Sequence, residues 1–282
     1  MAAIFRCKLT VCVAPVSPIL HTHLLFNAAY RESTESAIDE FLTRLQSINR
    51  LSPHPNTFDP LQGQLVLLGV IAAVESYLRT LFRRLIAIDF ICQESVQRRD
   101  VSFGAAIHLS KEMLPEAILE RISFITRSSI EETLRELLAI RGKVPSELDL
   151  AIEDYARVCQ LRHCAVHRFG KLGVSNAIFL GLSDHKELLE KPLQLNYSAL
   201  QNAIGISTGL VKTINNFLFN EVLSRLPPSC WTGKYRSDKR LFLAYYALFA
   251  DTVSSIGATA EIRQLYDQFM YQRARFAAGQ PF

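Results

Sequence analysis

The sequence lacks an apolar run long enough to cross a bilayer. The longest, Leu65–Val74, has ten residues and ends at Glu75, against the roughly 20 that a spanning helix needs. The six cysteines are scattered and form no C-x-x-C pair, so no dense disulfide framework is expected and the thiols read as reduced, in a cytoplasmic protein. H-E-x-x-H, G-x-x-x-x-G-K-[ST] and G-x-G-x-x-G are all missing, so neither a zincin nor ATP or dinucleotide use is indicated. No repeat or low-complexity tract occurs, and only "FRCKLTVCV" (Phe5–Val13) has the alternation of a strand.

Charge of one sign is also scarce. The net charge is +4, and residues 1–224 balance, with 23 basic and 23 acidic side chains. The excess lies in 225–282, with eight basic residues against four acidic. A basic C-terminal segment suits an anionic partner, although such runs are more often a solvated face. At the other end, Arg6 and Lys8 precede an apolar stretch as in an export signal. Pro15, Pro18, His21 and His23 interrupt it, so retention in the cytoplasm without a membrane partner is expected.

What is present is a chain of 282 residues, 49% hydrophobic and 21% charged, enough to bury a substantial core. Its patterning is helical throughout. Asp59-Pro60 is a helix start, with an acceptor at the cap and proline at the first helical position. Leu67, Val70, Val74, Leu78, Leu81, Leu85, Ile88 and Cys92 then recur at steps of three or four, one stripe over about seven turns. Ser129 with Glu132, Ser146 with Asp149, and Ser198 with Gln201 have the spacing of capping boxes. Ser237 is read as opening a helix that Gly257 ends, before a last one bearing Ile262, Leu265 and Phe269. The fold class is all-α. Linkers at 50–59, 141–146, 170–173 and 227–237 divide it into an N-terminal extension (1–30), a helical domain (31–228) and a C-terminal helical appendage (229–282).

One helix breaks the pattern. Ser146–Phe169, with Gly170 in the place of a left-handed cap, lays Leu148, Ile152, Tyr155, Cys159 and Val166 on one stripe. At 100° per residue Arg162 falls inside that stripe, and His163 and His167, four apart, lie on its edge. Three readings compete. Cys159, His163 and His167 at i, i+4, i+8 are zinc-type ligands, but three ligands on two turns of one helix rarely converge on an ion. The arginine snorkelling, with the histidines decorating a helix end, is the ordinary alternative. In the third, Arg162 holds a phosphodiester and His167 exchanges protons with a ribose 2′-OH or a leaving 5′-oxygen near neutral pH. That chemistry needs a second proton-transferring group, from His163 or from a symmetry-related copy of the helix.

"RHCAVH" (Arg162–His167) fits the R-x4–6-H motif of the HEPN superfamily of small all-α domains, and "LVLLGVIAAVESYLRTLF" (Leu65–Phe82) resembles its early helix. Within the superfamily the chain is similar to the branch named for its RiboL-PSP association, over roughly 31–226. The resemblance implies a HEPN-like antiparallel bundle with additional C-terminal helices. It also implies a metal-independent, cofactor-free endoribonuclease whose two motifs face each other across a homodimer. RNA would be cut by 2′-OH attack to leave a 2′,3′-cyclic phosphate, in a toxin or antiphage defence effector with an antitoxin or defence partner. Arg162, His167 and His163 would be catalytic, and Glu75 and Arg79 would bind or position substrate. Members that have lost catalysis bind RNA or protein, and that is the alternative. "GISTG" (Gly205–Gly209) matches a hydrolase elbow, but it follows a helix start and precedes no histidine. Small residues at a helix crossing account for it better. "LFLAYYALF" (Leu241–Phe249) reads as core or interface.

Overall fold

A computed structural model describes residues 7–254 and 262–280. The chain separates into two units, Met1–Thr34 and Glu35–Phe282. The described part of the first is extended, with one 3-10 turn at Thr22–Leu25 and its large apolar side chains exposed. Residues 7–13 form no strand there. Phe5 and Arg6 lie outside the described residues.

The second unit holds eleven α-helices among the described residues. They are α1 (Ala37–Asn49), α2 (Pro60–Ile88), α3 (Phe90–Val96), α4 (Phe103–His108), α5 (Leu114–Leu119) and α6 (Arg127–Glu136). Then come α7 (Ser146–Arg168), α8 (Val174–His185), α9 (Tyr197–Ser224), α10 (Tyr235–Phe249) and α11 (Ile262–Ala277). The extended structure among those residues is one isolated bridge, Lys171 to Pro192. The chain is all-α.

α2 is the axle of the bundle. Asp59 caps it by accepting from the Leu61 N–H at 2.9 Å, and its stripe packs against α1, α7 and α9. By length and composition alone α2 could cross a membrane, yet more than half of its most apolar window is buried in the bundle. The stripe does not continue unbroken to Cys92. Asp89 leaves helical geometry (φ −94°, ψ 117°) and caps α3 by accepting from the Cys92 N–H. A short carboxylate that bonds nearby backbone competes with the helix, and here it is also buried and held by Arg225 and Tyr245.

The expected capping serines sit inside their helices. Thr126 caps α6 and Asn196 caps α9, each accepting from the N–H three residues on, while α7 starts at Ser146 with no side-chain cap. α6 and α9 gain two or three residues over the sequence reading, because a good acceptor upstream captures the free N–H groups first. α10 likewise begins at Tyr235, before Ser237, and Gly257 lies outside the described residues. Gly205 and Gly209 have no atom within 4 Å of where a Cβ would stand, so no helix crossing explains "GISTG". Phe242, Tyr245 and Phe249 are buried, so the aromatic run is core.

The chain beyond Pro227 shares this core. Asn215 donates to the Phe249 carbonyl at 2.8 Å, and the Asp39 carboxylate accepts from Thr252 and Val253. Asp238 accepts from Thr232, Gly233 and the Tyr266 hydroxyl, which fixes α11 on α10.

Candidate functional site

α7 forms against α9, α2 and α8. Leu148, Ile152, Tyr155 and Cys159 are buried as the stripe requires, but Val166 is 46% exposed. The last turn projects beyond the core. Two residues, not one, take the left-handed conformation that closes it: Phe169 (φ 50°, ψ 43°) and then Gly170 (φ 88°), whose N–H reaches the Cys164 carbonyl at 2.9 Å. For an L side chain this conformation costs roughly 1–2 kcal/mol, and Phe169 is 80% exposed. Phe169→Gly is therefore expected to stabilise the protein by about 1 kcal/mol in denaturant unfolding. A loss of stability would show that the ring makes a contact worth more than the strain.

On this last stretch Arg162 and His163 are half-buried and His167 is exposed. The two histidine rings lie 4.7 Å apart, centre to centre, at 51°. Burial first, then His167 and Arg162, hold the His163 imidazole below its ordinary value of 6.5. The unfolded chain then takes up this proton first as pH falls. His163 therefore withdraws stability below about pH 6.5, until the folded form is protonated too. Arg162→Ala is expected to raise the His163 midpoint, read from its ring Cε1–H resonance across pH. An unchanged midpoint would place the guanidinium away from the ring.

Arg162 itself makes no hydrogen bond or ion pair among the described residues. A half-buried guanidinium has been partly stripped of water, and it normally recovers that cost from a carboxylate or a carbonyl. Arg79, Arg127, Arg168 and Arg225 all do so. Arg162 is the cation on α7 that faces the core's edge with its donors unspent.

The zinc reading loses its third ligand. Cys159 is buried, away from the exposed His167 ring. Among the described residues no three His, Cys, Asp or Glu side chains converge.

Glu75 and Arg79 do not join the cluster by any direct bond. The Glu75 carboxylate accepts from the Phe124 N–H at 3.2 Å and the Ser123 hydroxyl at 3.3 Å. Arg79 donates to the Leu119 and Ile122 carbonyls and lies over the Phe124 ring. Together they clamp the turn between α5 and α6. Glu75 still faces α7: it raises the Tyr155 and Cys159 pKa values while Arg162 lowers them. The sequence reading missed what anchors the end of α7. Arg168 grips Glu190 through both carboxylate oxygens, at 2.6 and 2.7 Å, and Gln64 donates to the Leu193 carbonyl beside Gly170. An arginine just after a histidine pair was the available signal, but its partner lies 22 residues away.

Comparison with family models, curated proteins and solved structures returns no match.

Proposed function

We propose that this chain is a metal-independent endoribonuclease of the HEPN type, a cytoplasmic toxin or defence effector that works as a homodimer. The observation that carries the reading is the half-buried Arg162 with no partner of its own, within two turns of the adjacent His163 and His167 rings. An RNA phosphate supplies the anion that Arg162 lacks. His167 takes the proton of the 2′-OH as its oxygen bonds to phosphorus. The bond from phosphorus to the 5′-oxygen then breaks, and that oxygen receives a proton from the equivalent histidine of a second copy. The products are a 2′,3′-cyclic phosphate and a 5′-hydroxyl. His163, kept neutral by its surroundings, orients the pair.

Support for a second copy comes from exposed apolar side chains around this site. Val166 and Phe169 end α7, and Val174 and Ile178, four residues apart, are exposed on the first part of α8, before its break at Gly181. Such a patch exposed to water suits a protein contact. An antitoxin or defence partner is the other protein this reading expects. The test is cleavage of single-stranded RNA by purified protein in excess EDTA, with the new ends analysed for cyclic phosphate. The alternative, a silent HEPN module that binds RNA or a partner protein, draws on Glu75 and Arg79. Glu75 Oε1 and both terminal nitrogens of Arg79 are engaged with the α5–α6 turn.

A further inference from the structure

The return of the chain after α7 forms a half-open pocket of about 240 Å³ that takes no part in the proposed cleavage. Its floor is a short pairing of two extended segments. Leu172 donates to the Lys191 carbonyl, Glu190 to that of Leu172, and Leu193 to that of Gly170, at 2.8–3.0 Å. Five leucines, Leu161, Leu172, Leu180, Leu188 and Leu193, line it, and the polar side chains are His185, Lys191 and Gln194. No carboxylate lines it. Lys191 is exposed and has no ion pair among the described residues. The His185 ring is held with Nδ1 2.8 Å from the Gly181 carbonyl oxygen, which fixes its orientation.

A packing flaw would close by small shifts of its walls, but the chain beside the lining residues Leu180 and Lys191 is held at positive φ. α8 is broken in its middle at Gly181 (φ 106°, ψ 98°), where an added Cβ would meet nothing within 4 Å. The break therefore serves no close approach of two backbones. Glu190, the neighbour in sequence of the lining residue Lys191, holds φ 62° under the two-oxygen grip of Arg168. Strain of this kind persists where the surroundings over-determine it, and ligand clamps are one such setting. A mostly apolar pocket with a few converging polar groups is the usual form of a small-molecule site.

We propose that this cavity binds a small aliphatic carboxylate, with its chain among the leucines and its head group on Lys191 and the free edge of His185. An apolar cavity of about 150 Å³ takes up benzene, so this space has room for a short-chain acid such as hexanoate. Leu161 and Cys164 belong to the wall, so such a ligand leans on the turn of α7 that carries Arg162 and His163.

The experiment is calorimetric titration of the whole chain with hexanoate and, separately, with hexanol. Parent protein is expected to take up one hexanoate per chain, with hexanol at least about tenfold weaker for want of a charge–charge contact. Lys191→Gln is expected to weaken hexanoate by about tenfold. Leu180→Trp, which fills the cavity, is expected to abolish binding, and Leu188→Phe stands in if that variant unfolds. No saturable uptake by the parent overturns the proposal. Equal affinity for hexanol, or binding that survives a folded cavity-filling variant, overturns it as well. None of these readouts depends on RNA cleavage.

Discussion

His167→Ala is expected to lower RNA cleavage by about 10²–10⁴-fold, the usual worth of a general acid–base group, and to leave the unfolding midpoint unchanged. The two halves of this expectation come from the same geometry. His167 is exposed and its one described contact is the His163 ring, so its removal opens no cavity and strands no polar group. Arg162→Ala is expected to cost about 10²–10³-fold, the range seen when one stabiliser of developing charge is removed. Arg162→Lys should recover only part of that, because a point charge does not reproduce the planar fork. The arginine variant is the sharper probe of the structure. With no internal polar partner to lose, Arg162→Ala should destabilise only by the packing of its half-buried stem, about 1 kcal/mol. A large stability loss would mean that the guanidinium is a structural group, and the drop in cleavage would then say nothing about phosphate. Full cleavage by both variants in EDTA would end the nuclease reading of this helix. No cleavage by parent protein on varied single-stranded RNAs would move the assignment to the silent binding module.

Much of this site was legible because helical geometry is local. Spacing alone put Arg162 among Tyr155 and Cys159 and set His163 beside His167, and the structure keeps all of these on one face of α7. What spacing could not reach was the identity of partners distant in the chain. The resemblance of α2 to the early HEPN helix assigns Glu75 and Arg79 to substrate. The backbone they bond lies 40 to 49 residues on, in a turn with no side-chain signature. Backbone groups are the same at every position, so no sequence pattern announces that a carbonyl will be the acceptor. The cap serines failed for a related reason. A capping box is a pattern of residue types, and Thr126 and Asn196 met the same need a few residues earlier. The break at Asp89 was hidden because the apolar period runs on through it.

That break is also where the largest stability effect is expected. Asp89 has no solvent exposure, and both of its oxygens are spent. Oδ1 accepts from the Cys92 N–H at 2.8 Å and from Arg225 at 2.6 Å, and Oδ2 accepts from the Tyr245 hydroxyl at 2.9 Å. Arg225 also donates to the Leu138 carbonyl and to the Cys92 sulfur. One carboxylate thereby joins the α2–α3 junction, the end of α9 and the middle of α10. Asp89→Ala would leave a largely buried guanidinium without its anion and a buried hydroxyl without its acceptor. Breaking a buried pair from one side costs about 3–5 kcal/mol. At roughly 2–4 °C per kcal/mol for a chain of this size, the thermal midpoint should fall by about 10 °C. The charge and the bonds are separable. Asp89→Asn keeps one acceptor oxygen, with an amide N–H that can donate to the Tyr245 hydroxyl, and should lose less than Asp89→Ala. Adding Arg225→Met to Asp89→Leu removes the stranded cation and should recover part of the loss. A cost below about 1 kcal/mol for Asp89→Ala would mean that water reaches Arg225 and that the junction is held by packing alone. Because Tyr245 is the α10 member of this node, the full loss should come with faster proteolysis in 227–234, where the chain enters α10. Equal cutting in parent and variant would show that α10 is held by its aromatic core and owes nothing to the buried charge.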